Sequence, residues 1–204
     1  VIGVARKGFV LELTGHKGTK TSHQVAMLAH EVIVRWKLKG LNLTEIICDL
    51  PGVGGGTIDV LRRDYNYPVR EYDGGKPLVK GVDPDDECKM FQNKRARDHW
   101  MLRRKLELGN YPIPDDDVLK AQMASIKYRY MDGSDKIVVE NKQAMKDRLG
   151  DEASPDRSDV IVMAQAPFYT DDGTTHVELT DEDIICGADR PTAQYRDELE
   201  VGLV

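Results

Sequence analysis

The chain has 204 residues, three cysteines and a formal net charge of −6. That length supports one domain with a full core and a smaller appendage, and no apolar run approaches the roughly 20 residues that span a bilayer. Cys48, Cys88 and Cys186 are far apart and form no CxxC pair, which argues against a disulfide framework or a zinc site and for a reduced compartment.

Val1 to Ala5 and Phe9 to Leu13 read as two strands joined by the turn Arg6-Lys7-Gly8, a hairpin. Since Val1 already reads as strand, the expectation is a fragment of a longer polypeptide. Thr19 to Ser22 offers caps for a helix over His23 to Lys39, with Val25, Leu28, Ala29, Val32 and Trp36 on one face and Gly40 as its stop. "EIICDL", Glu45 to Leu50, reads as a buried parallel strand. "PGVGGGT" leads into a helix over Thr57 to Asp64, and Tyr67 to Tyr72 is a further short strand. This alternation predicts an α/β sheet.

Residues 73–92 are rich in Gly, Pro and Asp and read as a loop or flap. Asn93 to Leu108, "NKRARDHWMLRRKLEL", is a highly basic helix closed by Gly109-Asn110. "YPIPDDD" introduces a helix with Leu119, Met123 and Ile126 on one face, "DKIVVE" is a strand, and Lys142 to Leu149 a short helix. A last helix runs from Ser154 to Gln165, with Pro167 beyond it. From Asp171 onward there are ten acidic and two basic residues, against 25 acidic and 27 basic before it. The body is therefore slightly basic, and the acidity belongs to a less regular tail in which "HVEL" is a candidate strand.

Two carboxylates break the local pattern. In "SPDRSDVIVMAQ", Ser154 suits the N-cap and Pro155 the first helical position. Asp156 is explained by the helix dipole as readily as by function. Asp159 directly precedes the apolar run Val160 to Met163. A buried carboxylate there costs roughly several kcal/mol unless it is paired or metal-bound. The bland alternative is an ion pair with Arg157, Lys146 or Arg148. Asp49 ends an apolar strand, where ligands collect in open α/β sheets, or it caps its own turn. If the two converge, they suit a hard cation such as Mg²⁺ or Mn²⁺.

Other signals are weaker. "GVGGG" is neither GxGxxG nor a P-loop, and reads as a tight turn rather than a nucleotide site. Arg95, Arg97, Arg103, Arg104 and Lys105 surround Trp100, a pattern that grips a nucleic-acid backbone or forms a solvated face. Lys142 and Lys146 share a helical face and either reach phosphates or neutralise the acids. His16, His23, His30, His99 and His176 show no paired spacing and read as ordinary packing or surface residues.

Taken in order, "IICDLPGVGGGTIDVL", "FQNKRARDHWMLRRKLELGNYPIPDD" and "SPDRSDVIVMA" resemble the nuclease domain of the large terminase subunit of tailed bacteriophages. The resemblance spans Val1 to Phe168. It implies an RNase H-like mixed central sheet flanked by helices, with residues 1–168 as the nuclease domain and 169–204 as an acidic extension. It further implies a two-metal endonuclease that cuts concatemeric double-stranded DNA. Asp49 and Asp159 would be its catalytic metal ligands and Asp156 a supporting one, with Mg²⁺ or Mn²⁺ as cofactor and Lys142, Lys146, Arg103 and Arg104 facing DNA. The family's first acid stands on a strand before the hairpin, so the first strand is expected to be missing here. Glu12 lies in the wrong strand to replace that acid. The implied partners are double-stranded DNA, an ATPase domain upstream in the same polypeptide, the portal protein and the small terminase subunit, with no membrane. The implied place is the procapsid in the host cytoplasm. No Walker motif is present, so no ATPase site is expected in this chain. The alternative is a non-catalytic nucleic-acid-binding module of the same fold.

Overall fold

A computed structural model describes residues 1–6, 9–16, 18, 21–41, 43–51, 54–150, 154–167 and 199–203. Strand β1 (Ile2–Arg6) pairs antiparallel with β2 (Phe9–Thr14), and the register shifts between Val4 and Ala5. Strand β3 (Leu43–Asp49) pairs parallel with β4 (Val69–Tyr72) after the crossover helix α2 (Gly54–Tyr65). Between β1 and β3 lies a strand from the far end of the chain, Leu199–Leu203. It runs antiparallel to β1 and parallel to β3, and so joins the hairpin to the parallel pair in one mixed sheet.

The position between β1 and β3 is thus filled from the later part of the chain. The backbone of residues 199–203 pairs with the sheet on both sides. "LEVGL" carries the apolar alternation of a strand, a signal overshadowed by the acidity around it. The boundary expected at Phe168 and the strand expected at "HVEL" lie outside the described residues.

Helices cover both faces of the sheet. Helix α1 (Ser22–Leu38) starts at a capping box, in which the Thr21 side chain accepts from Gln24 N and Gln24 reaches back to Thr21 N. Its Ala26, Ala29, Val32 and Ile33 pack with Ile58 and Leu61 of α2 onto Ile2, Val4, Ile46 and Cys48. These strand residues alternate with Gly3, Ile47 and Asp49, which therefore face the other side. There the last helix packs on the sheet with Val160 to Met163 all buried. Gly3 permits the approach: a Cβ at that position would lie 2.3 Å from Val160 Cγ1.

The outer layer on that face comprises Lys94–Glu107 (α4) and Asp117–Ser125 (α5), joined through Leu102, Tyr111, Leu119, Ile161 and Val162. Gly109, at φ +71°, follows the end of α4. Strands β5 (Tyr128–Tyr130) and β6 (Ile137–Val139) form a separate two-stranded hairpin. The segment read as a flap contains a short helix, α3 (Asp85–Met90). It is fastened by Arg97, which is 1% exposed. Arg97 Nη1 donates to Asp83 Oδ1 at 2.7 Å and Nε to Asp98 Oδ1 at 2.7 Å, and Glu87 Oε2 stands 3.6 Å away. Arg97 is thus an interior ion-pair centre and not part of a solvated basic face.

Candidate metal centre

Asp49 ends β3, and its alternation with Cys48 turns it toward the face covered by α7 (Asp156–Gln165). Asp159 stands in the first turn of α7, where its N–H donates to Pro155 O at 2.8 Å. The helix begins one residue later than the sequence suggests. Pro155 is the cap, and Ser154 does not cap the helix by its side chain. Its hydroxyl instead donates to Asp156 Oδ1 at 2.6 Å.

Three neighbouring cations or cation precursors address Asp159, whose side chain is 8% exposed. Arg95 Nη1, from the first turn of α4, donates to Oδ1 at 2.7 Å. Lys142 Nζ, at the start of α6 (Lys142–Leu149), stands 3.2 Å from Oδ2 and 3.4 Å from Asp156 Oδ1. His99 Nε2 lies 3.6 Å from Oδ1, beyond hydrogen-bond length. These partners replace the expected ones: Arg157 pairs with Asp116, and Arg148 with Glu140. Lys146 sits one turn further along α6.

The electrostatics divide the two carboxylates. Burial raises the Asp49 pKa, and the Asp159 charge adds to that effect while Lys142 opposes it. Burial acts the same way on Asp159, but His99, Arg95 and Lys142 outweigh it and hold its carboxyl well below the usual range. Burial also works against the Lys142 charge, yet Asp159 and Asp156 push its pKa up. His99 is pushed down, chiefly by burial, which favours the neutral imidazole. The Asp159 and Lys142 charges thus both act on Asp49, and Lys142 pairs with Asp159 and Asp156.

Sequence reasoning missed Arg95 and His99 as members of this site. Their spacing of i and i+4 puts them on one face of α4, and that is the only signal the sequence offers. Arg103 and Arg104 lie in the last turns of the same helix, about 12 Å along the axis from Arg95. Glu12 is committed elsewhere, accepting from Trp36 Nε1 at 2.8 Å and from Thr14 Oγ1 at 2.8 Å, and pairing with Arg35. Gly54 to Gly56 form the first turn of α2.

The oxygen donors of Asp49 and Asp159 fit a hard divalent cation. Asp159 Oδ2 is buried without a hydrogen bond, since the Lys142 approach is an ion pair lacking hydrogen-bond alignment. Among the described residues no group of three or more His, Cys, Asp or Glu side chains is gathered to hold a metal. The fit is thus to two carboxylates, with Lys142 as the group that yields.

No family model matches the sequence, and no curated protein matches it. Two solved chains match the structure. One is the nuclease domain of the large terminase subunit of bacterial virus Sf6, solved as a lysine-to-alanine mutant with manganese. It is 20% identical, with a TM-score of 0.58, and the match covers 79% of this chain and 81% of that one. The likeness establishes the fold, the mixed sheet flanked by helices expected from the sequence.

Proposed function

We propose that the chain is the metal-dependent endonuclease domain of a viral DNA-packaging terminase and hydrolyses phosphodiester bonds of concatemeric double-stranded DNA. What supports this reading is the action of the Asp159 and Lys142 charges on Asp49 and the Lys142–Asp159 ion pair, in a fold shared with a nuclease domain solved with manganese. Asp49 and Asp159 are the ligands for Mg²⁺ or Mn²⁺, and Asp156 supports them. A bound divalent cation supplies an activated water and charge stabilisation at the leaving oxygen. Lys142 then turns from the carboxylates to the scissile phosphate, and Lys146, Arg103 and Arg104 extend the contact along the DNA backbone. The ATPase domain of the same polypeptide, the portal protein and the small terminase subunit complete the proposal as partners at the procapsid in the host cytoplasm.

The test is plasmid cleavage with Mn²⁺ by the full-length protein carrying Asp49→Asn or Asp159→Asn. Loss of cutting with an unchanged near-UV circular dichroism spectrum is expected. Cleavage retained in both variants would sink the assignment. A second reading, a non-catalytic binding module, is favoured by the ion pairs that Arg95 and Lys142 already make to Asp159. Absence of any Mn²⁺ binding heat in the full-length protein would select it.

A further inference from the structure

The β5–β6 hairpin stands apart from the main sheet, and all three residues of β5 face solvent. Tyr128 is 46% exposed and Tyr130 59%. They are successive members of an aromatic series that begins inside the fold. Phe91 and Trp100 have ring centroids 6.4 Å apart, Trp100 meets Tyr128 edge to face at 5.1 Å, and Tyr128 meets Tyr130 edge to face at 6.3 Å. The Arg103 guanidinium lies over Trp100 at 5.0 Å and over Tyr128 at 5.4 Å, held by Glu107 at 2.8 Å. Helix α4, which supplies Trp100 and Arg103, carries six basic and two acidic residues.

We propose that this surface of α4 and β5 is a stacking platform for unpaired nucleotides, distinct from the carboxylate site. Exposed aromatic rings flanked by arginine match a single strand, which offers base faces to the rings and phosphates to the cations. A duplex hides its base faces and would use the arginines alone, leaving the tyrosines without a role. The platform also adjoins the carboxylates. A cavity of about 240 Å³ has Trp100, Arg103 and Tyr128 in its wall together with His99 and Ser158, the neighbours of Asp159. It is smaller than the roughly 300–1,000 Å³ of sites that enclose a drug-sized ligand, which fits bases stacking across its mouth. The use of the platform rests on the nuclease reading: it holds a locally opened strand within one helix length of the cutting site.

The experiment is fluorescence anisotropy of a short labelled oligo(dT) and of a blunt duplex of equal length, both in EDTA. Tyr128→Ala/Tyr130→Ala should weaken oligo(dT) binding at least about tenfold and duplex binding less than about twofold. Tyr128→Phe/Tyr130→Phe should bind oligo(dT) like the parent, and thermal melts should match for all three proteins. Oligo(dT) binding unchanged in the alanine variant, equal losses for the two polymers, or no oligo(dT) binding by the parent each overturn the platform. Because EDTA removes cleavage from the readout, those outcomes leave the nuclease reading standing. Cutting by Asp49→Asn and Asp159→Asn would remove that reading and leave the platform.

Discussion

Lys142 Nζ stands 3.2 Å from Asp159 Oδ2, so a lysine occupies the side of the carboxylate that a divalent cation would need. Lys142→Ala should therefore raise Mn²⁺ affinity several-fold in calorimetric titration, because the competing charge is gone. The same variant should cut DNA about tenfold more slowly, since the proposed role of Lys142 at the scissile phosphate is removed. Unchanged Mn²⁺ affinity would show that lysine and metal do not compete.

The opposite shifts of the two acids predict opposite effects on metal-free stability. The Asp49 pKa is raised in the fold, so its ionisation destabilises the native state progressively as pH rises through that value. Asp49→Asn should raise Tm at pH 7. The Asp159 pKa is depressed, so its contribution is fully present above the unfolded value of about 3.9 and drains away as pH falls toward the folded one. Asp159→Asn should lower Tm at pH 7 and lose less stability than the parent on acidification. Melts in EDTA from pH 7 down to pH 3 check both signs, and shifts of the same sign would contradict the assignment.

Gly3→Ala should destabilise the fold by about 1–3 kcal/mol through overpacking, because its Cβ would fall 2.3 Å from Val160 Cγ1. Adding Val160→Ala should return part of that loss. Urea melts of the two singles and the double give the coupling.

Arg97→Met should cost roughly 3–5 kcal/mol, since it leaves Asp83, Asp98 and Glu87 without their shared cation. Asp98→Asn added to it should recover some of the loss. Denaturant titration measures both, and a near-neutral Arg97→Met would refute the interior role.

Asp49 and Asp159 are legible in the sequence because each contradicts its surroundings: a charge ending an apolar strand, and a charge beginning an apolar helix run. What holds them is not legible. Arg95, Arg97 and Arg103 are near neighbours in one basic run, yet one meets a carboxylate, one is fully interior and one lies over aromatic rings. Helical phase separates them only after the packing of α4 against α7 is known. The parallel pair β3–β4 follows from an apolar run, a helix and a short strand in succession, and the first hairpin from two neighbouring short strands. The strand between them does not, because its partners lie almost a full chain length away and no local signal records them.

That central strand has a kinetic consequence. Gly202 pairs with Gly3 and Ile47, so the sheet becomes continuous only when segments far apart in the sequence meet. Pairings of such long sequence separation slow folding. Until they form, β1 and β3 present bare backbone edges that another strand can occupy. During synthesis the hairpin, the parallel pair and their covering helices all emerge before the strand that unites them, and the sheet closes at its centre last.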